Sequence, residues 1–267
     1  MLIFDNAPFL YNQGMTNYKP AILIPVYNHG KACAQVVDGL ETFCKGNGIT
    51  IILVDDGNAD ETKKYLSEIT EKHGEFVKLI ANDKNYGKGV AFRNGMMKAE
   101  ELGFTHVLQL DADGQHDSSR CGFFFEKSRE NPEKLICGYP EFDESAPEHR
   151  KGGHRFANGW CAIVTWSNGI VDSLCGFRIY PVKATCDFLR KGHIDSRMGF
   201  DIDILIKLIW KGVKYEFYPV KVTYPTDGVS NFHPFRDNVR ISWVFTKFFV
   251  GMIFRSPILL WRKINGR

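Results

Sequence analysis

"LQLDADGQHD" (residues 108–117) closes an apolar run with two acids one residue apart. Two carboxylates so placed repel, so they either form a polar turn or share a cation. In extended backbone, residues i and i+2 point to the same side, which presents Asp111 and Asp113 together. The run leading into them, "THVLQLD" (105–111), reads as a strand. Comparable runs flank it: "AILIPV" (21–26), "ITIILVDD" (49–56), "FVKLIAN" (76–82) and "KLICGYP" (134–140). Helical spacing fills the intervals 30–45, 59–73 and 88–102, with a less regular pattern at 118–130. Apolar strands alternating with helices predict an α/β chain built on a mostly parallel central sheet covered on both faces. Sites in such sheets lie beyond the carboxyl ends of the strands. Those ends carry "PVYNHG", "VDDGNAD", "NDKNYGKG" and "DADGQHD", so four polar clusters should meet at one edge.

The second half has a different texture. "HRFANGWCAIVTWSNG" (154–169) and "PVKATCDFLRKG" (181–192) look helical, the latter with Pro181 in its first turn. "GFDIDILIKLIWKG" (199–212) is an amphipathic helix with Ile202, Leu205, Ile206 and Ile209 inward, and "VKYEFYPVKV" (213–222) alternates like a strand. No repeat, low-complexity tract or linker stands out, so one composite domain with a C-terminal appendage is expected.

Composition narrows the function. A net charge of +3 over 267 residues gives no general affinity for nucleic acid. The excess is local: from Arg236 to Arg267 seven Lys or Arg face one acid, Asp237. Seven scattered cysteines without a C-x-x-C pair argue against a zinc site or a disulfide framework and fit a reducing cytosol. The start lacks the basic-then-apolar order of a secretion signal, and residues 1–18 read as a loose leader.

Alone, D-x-D fits a surface turn as well as a metal grip. A calcium loop is excluded, because the sixth and twelfth positions from Asp111 are His116 and Gly122 instead of Gly and Glu. Placement at a strand end beside three other polar clusters favours Mg²⁺ or Mn²⁺, with Gln115 adding an oxygen and His116 a nitrogen. "NYGKGVAFRNG" (85–95) sets Lys88 between glycines at a helix start, a place that suits anions, although it is no P-loop. No G-x-G-x-x-G follows the first strand, which disfavours a dinucleotide.

"ILIPVYNHG", "VDDGNADET", "NYGKGVAFRNG" and "LQLDADGQHD", in that order, resemble the nucleotide-sugar domain of inverting family-2 glycosyltransferases with the Rossmann-like GT-A fold. "HRFAN", "DSLCGFRIYP" and "RMGFDIDILIKLIWKG" extend the resemblance to the polyprenyl-phosphate (dolichyl-phosphate) sugar transferase branch, over about residues 20–225. The resemblance implies that Pro25, Tyr27, Asn28, Asp55 and Asp56 hold the base and ribose of a nucleotide-sugar, with Lys88, Asp111 and Ala112 beside it. It implies Asp111, Asp113 and Gln115 as ligands of Mg²⁺ or Mn²⁺. Arg155 and Arg178 would meet the acceptor phosphate or the diphosphate, and Asp201 or Asp203 would line the acceptor side. Acids in a helix's first turn also favour the helix dipole, so for these two a structural role stays open. The stretch "YPTDGVSNFHPFRDN" has Thr226 and Asp227 where many members of that branch carry a further basic residue, and the next arginine is Arg236.

"NVRISWVFTKFFVGMIFRSPILLW" (238–261) is apolar but interrupted by Lys247 and Arg255, each costing about 2.5–3.5 kcal/mol at a bilayer centre. At about 100° per residue, Arg236, Arg240 and Lys247 cluster within about 40°, while Phe245, Phe248, Phe249 and Met252 take another face. The pattern predicts a helix lying in the membrane interface, ended or kinked by Pro257, with packing on the domain or self-association as alternatives. The expected division is a leader at 1–18, a glycosyltransferase unit at 19–225 and membrane-interface helices at 226–267. The expected enzyme sits on the cytoplasmic face of a membrane and moves a sugar from a UDP- or GDP-sugar to a lipid-phosphate or glycolipid acceptor. A sugar nucleotidyltransferase and a non-catalytic nucleotide-sugar-binding module are the alternatives.

Overall fold

The computed structural model describes residues 17–142, 148–223 and 234–264. Most of the expected leader and the Thr226–Asp227 stretch lie outside the described residues. The elements run β1 (Pro20–Val26), α1 (Gly30–Asn47), β2 (Thr50–Asp56), α2 (Asp60–His73), β3 (Val77–Asn82), α3 (Lys88–Glu101), β4 (His106–Gln109), α4 (Cys121–Glu130) and β5 (Leu135–Phe142). Then come α5 (Glu148–Thr165), β6 (Arg178–Pro181), α6 (Val182–Lys191), α7 (Phe200–Lys211), β7 (Tyr215–Val222) and α8 (Pro234–Ile264).

Seven strands form one sheet in the order β3-β2-β1-β4-β6-β5-β7. Only β6 runs against its neighbours. The period-two alternation of strand side chains divides the core in two. Ile22, Ile24, Ile51, Leu53 and Leu108 pack under α1, α2 and α4; Ala21, Leu23, Ile52, Val54 and Val107 pack under α3 and the later helices. Each buried aliphatic side chain contributes about 1.5–3 kcal/mol of transfer free energy, which is why the continuous apolar runs specify two-sided burial.

Two expectations need correction. The four-residue β6 lies inside a stretch that sequence periodicity leaves blank, and its antiparallel pairing turns the Arg178 end toward the carboxyl edge of the parallel strands. Pro257 neither ends nor interrupts α8, which continues to Ile264. Proline leaves the Ile253 carbonyl without its backbone donor, and Ser256 Oγ supplies one at 2.7 Å.

Candidate active site

The parallel register of β1, β2 and β4 brings residues 27–28, 55–58 and 111–113 to one edge. Antiparallel pairing sets Gln109 against Arg178, and continuing that register by two residues brings Gly176 opposite Asp111. A Cβ on Gly176 would sit 2.8 Å from Asp111 Oδ2, 3.0 Å from Gln109 Nε2 and 3.0 Å from Lys88 Nζ. A methyl group there would push those three side-chain ends out of their present arrangement. Gly176→Ala is expected to cut turnover by about ten- to a hundredfold through misplacement alone, read by steady-state kinetics beside an unchanged far-UV CD spectrum. Unaltered kinetics would show that the cradle has slack.

Lys88, at the first position of α3, is the hub. Its ammonium lies 2.8 Å from Asp111 Oδ1 and 2.9 Å from Asp201 Oδ2. Gln109 Nε2 donates to Asp201 Oδ1 at 3.0 Å, and Tyr180 Oη donates to Gln109 Oε1 at 3.3 Å. Burial works against the Lys88 charge, but Asp111 and Asp201 outweigh it and raise its pKa far above the usual lysine range. Burial likewise pushes the Asp111 carboxyl up, yet Lys88 and, after it, His116 hold it below its ordinary value. The cluster is therefore a fixed arrangement of charge at neutral pH.

The α3 N-terminus is not open to an anion as expected. Gly89 N donates to Ser196 O at 3.1 Å, and a Cβ on Gly89 would lie 2.1 Å from Asp195 O, so the 195–196 backbone covers it. Asp55 and Asp56 are buried and accept hydrogen bonds from within the chain. Asp55 Oδ1 accepts from Asn58 N at 2.9 Å and Nδ2 at 2.6 Å. Asp56 accepts from Asn82 Nδ2, Tyr86 N and Gly87 N at 2.9, 3.1 and 2.7 Å. Both shape the cleft wall, and Asp55 Oδ2 takes none of these bonds. Tyr27 and Asn28 are exposed on the lip, with Pro25 half-buried and Ala112 buried behind them. Asn28 holds a left-handed φ of 61° while its N–H donates to Asn58 Oδ1 at 2.7 Å.

Arg178 and Asp203 depart furthest from expectation. Arg178 is fully buried, and its guanidinium donates to Asp201 O at 2.6 Å and Ser173 O at 2.8 Å, so it positions the start of α7 and does not face the cleft. Asp203 points away from Asp201, pairs with Lys207 at 2.7 Å and accepts from Asp195 N at 3.1 Å. Burial raises its carboxyl, partly offset by Lys207. Arg155 is exposed on α5 and lines a cavity of about 350 Å³ with Tyr139, His154 and Asp172. In that cavity His154 Nδ1 meets the buried Asp172 Oδ2 at 2.5 Å.

Among the described residues no three His, Cys, Asp or Glu side chains form a ready-made metal cage. The donors that are present still suit a hard divalent ion, which takes one or two carboxylates and fills its sphere with water and phosphate. Asp113 is half-exposed and uses one oxygen to accept from Gln115 N at 3.0 Å, while Asp111 Oδ2 lies in the space that Gly176 leaves clear. His116 is not turned to that ion: its Nε2 lies 3.5 Å from Cys175 Sγ and its buried Nδ1 has no partner. Sequence reasoning missed Gln109, Gly176 and Tyr180. Gln109 could have been noticed as the one amide inside an otherwise apolar strand.

The family that matches this chain is described as Glycosyl transferase family 2 and covers residues 21–187. The UDP-N-acetylglucosamine–dolichyl-phosphate N-acetylglucosaminyltransferase of Methanococcus voltae is 36% identical over 61% of this chain and 69% of its own. The dolichyl-phosphate beta-glucosyltransferase of Dictyostelium discoideum is 24% identical over 91% of this chain and 76% of its own. Among solved structures, glucosyl-3-phosphoglycerate synthase from Mycobacterium tuberculosis, crystallised with Mn²⁺, UDP and phosphoglyceric acid, superposes with a TM-score of 0.65. That superposition covers 88% of this chain and 78% of the other at 13% sequence identity, a likeness of fold.

Proposed function

This chain belongs to glycosyl transferase family 2 and has the GT-A fold; it is a glycosyltransferase, and we propose that it transfers a sugar from a UDP- or GDP-sugar to a lipid phosphate, with inversion. The nucleotidyltransferase and binding-module alternatives give way to the family match. The observation that carries the acceptor class is the state of Asp201. Both its oxygens accept hydrogen bonds, from Gln109 and Lys88, which ties it to Lys88 and weighs against its serving as a free general base. A hydroxyl acceptor needs a base, whereas a phosphate arrives as an anion and attacks unaided. Its oxygen forms the new bond to the anomeric carbon as the bond to the nucleoside diphosphate breaks on the opposite side.

Relatives named for transfer to dolichyl phosphate support this acceptor class. Mg²⁺ or Mn²⁺ held by Asp111 and Asp113 would supply a Lewis acid for the departing diphosphate. Lys88 adds fixed positive charge beside it. Tyr27 and Asn28 offer an exposed lip for the base, and Arg155, exposed and without an ion-pair partner among the described residues, is the cation we assign to the acceptor phosphate.

α8 brings the enzyme to a lipid. By length and composition Arg236–Ile264 is apolar enough to cross a membrane. Val244, Phe245, Phe248 and Leu259 are buried against the domain, however, so Phe245 and Phe248 do not face lipid as the sequence pattern suggested. The outward stripe is Trp243, Val250, Phe254, Ile258 and Trp261, with Phe254 80% exposed. A helix packed along one side and apolar along the other suits the plane of the interface, and the seven buried free cysteines suit its cytoplasmic face. The test is a transfer assay with labelled UDP- and GDP-sugars, Mn²⁺, and vesicles carrying either a polyprenyl phosphate or the matching alcohol. Label should enter the lipid fraction only with the phosphate. Label in the alcohol instead would overturn the acceptor assignment.

A further inference from the structure

Asp203 stands about 200° round α7 from Asp201 and opens on a second cavity, of about 700 Å³, between α7 and α8. Five cations line it, Lys207, Lys211, Lys247, Arg255 and Arg262, against Asp203 as the one acid. Two of the five are committed. Lys207 pairs with Asp203 at 2.7 Å and donates to His193 O at 2.6 Å. Arg262 donates to Ile209 O at 3.3 Å and Trp210 O at 3.0 Å, closing the C-terminus of α7. Arg255 lies over the Trp210 ring, 4.5 Å from its centre, a contact that leaves its N–H groups available. Lys211 and Lys247 have no acidic partner among the described residues.

The remaining walls are apolar: Phe188, Trp210, Phe248 and Leu259, with Ile258 at the rim. Ile258 is 54% exposed and belongs also to the outward stripe with Phe254 and Trp261, so the cavity is continuous with the face that meets lipid. A small soluble anion would satisfy the lysines and leave that hydrocarbon wall in water. A neutral lipid would cover the wall and leave the lysines uncompensated. An occupant that answers both features carries a phosphate and an acyl chain.

We propose that the α7–α8 cavity binds the head group of an anionic phospholipid, its phosphate between Lys211, Lys247 and Arg255 and its chain along Ile258 and Phe254. The inference rests on the interfacial reading of α8 given above and adds the site, its residues and the ligand class. Because α7 carries Asp201 in its first turn, an occupied cavity ties the catalytic helix to the bilayer.

The test is co-sedimentation of the full chain with vesicles of phosphatidylcholine alone or with phosphatidylglycerol added. Wild type should bind the anionic vesicles more tightly, and Lys211→Gln/Lys247→Gln should lose at least about tenfold of that affinity with an unchanged CD spectrum. The control, Arg240→Gln/Lys263→Gln, removes the same charge from α8 outside the cavity and should lose several-fold less. Equal losses in the two variants would reduce the effect to diffuse surface charge and overturn the cavity site, as would equal wild-type binding to both vesicles. In either case the interfacial reading of α8 survives. Absence of binding to any vesicle would instead overturn that reading and the cavity site with it.

Discussion

Asp113→Asn is expected to lower turnover by about a thousandfold while leaving the fold untouched. The two halves of that result come from different properties of one side chain. Structurally, Asp113 is half-exposed and its hydrogen bond is the one accepted from Gln115 N at 3.0 Å. An asparagine carbonyl accepts the same bond, so the turn keeps its shape and Tm should move by no more than about 2 °C. Chemically, the substitution removes a full negative charge from the pair that would hold a hard cation, and an amide oxygen is a much weaker ligand. Release of nucleoside diphosphate, followed beside a thermal melt, measures both halves. Full activity would make Asp113 a turn residue and nothing more.

Lys88→Met should show the second largest effect, on stability as well as rate. The ammonium is the counter-charge for Asp111 and Asp201 together, so its loss leaves two partly buried carboxylates facing each other. Breaking a fully buried pair costs about 3–5 kcal/mol; with Lys88 27% and Asp111 26% exposed, solvent relieves part of that and about 2–3 kcal/mol is expected at pH 7. For a chain of 267 residues that corresponds to a fall in Tm of about 5–10 °C. The pH dependence has a definite sign. In the wild type Asp111 is held below its ordinary value, so its stabilising contribution is present above the unfolded carboxyl pKa of about 3.9 and fades as pH drops through the lower, folded value. In the variant that contribution is missing. The Tm gap should therefore be widest at neutral pH and narrow toward pH 4, with turnover reduced at least about a hundredfold throughout. A gap that widened on acidification would mean that Lys88 does not stabilise these carboxylates.

The central sheet was readable because its cause is local. Strands such as Pro20–Val26 and Thr50–Asp56 are apolar on both sides through most of their length, and polar residues gather at their carboxyl ends. Asp111 and Asp113 were legible for the same reason. Lys88 was noticed, but its partner Asp201 lies 113 residues away, and only the folded chain brings α3 and α7 together. Arg178 was placed on a phosphate by resemblance, and a four-residue strand is too short for its period to show otherwise; β6, paired with β4 at Gln109, carries Arg178 fully buried. The choice left open between Asp201 and Asp203 could have been narrowed, since residues two apart on a helix point about 200° from each other and cannot both face one cleft. In α8 the sequence separates a basic side from apolar ones, yet it does not say which apolar side the domain covers. Contacts of Trp160 with Phe245 and Trp210 with Phe248 decide that.

The account depends most on a divalent ion at Asp111 and Asp113 receiving the diphosphate of the donor. Titration calorimetry of UDP and GDP into the wild type and Asp113→Asn, each with and without Mn²⁺, addresses that directly. One nucleotide should bind the wild type at least about tenfold more tightly when Mn²⁺ is present, and the variant should lose that gain while keeping its metal-free affinity. Binding that ignores Mn²⁺ in the wild type, or a gain that survives in Asp113→Asn, would contradict the metal site.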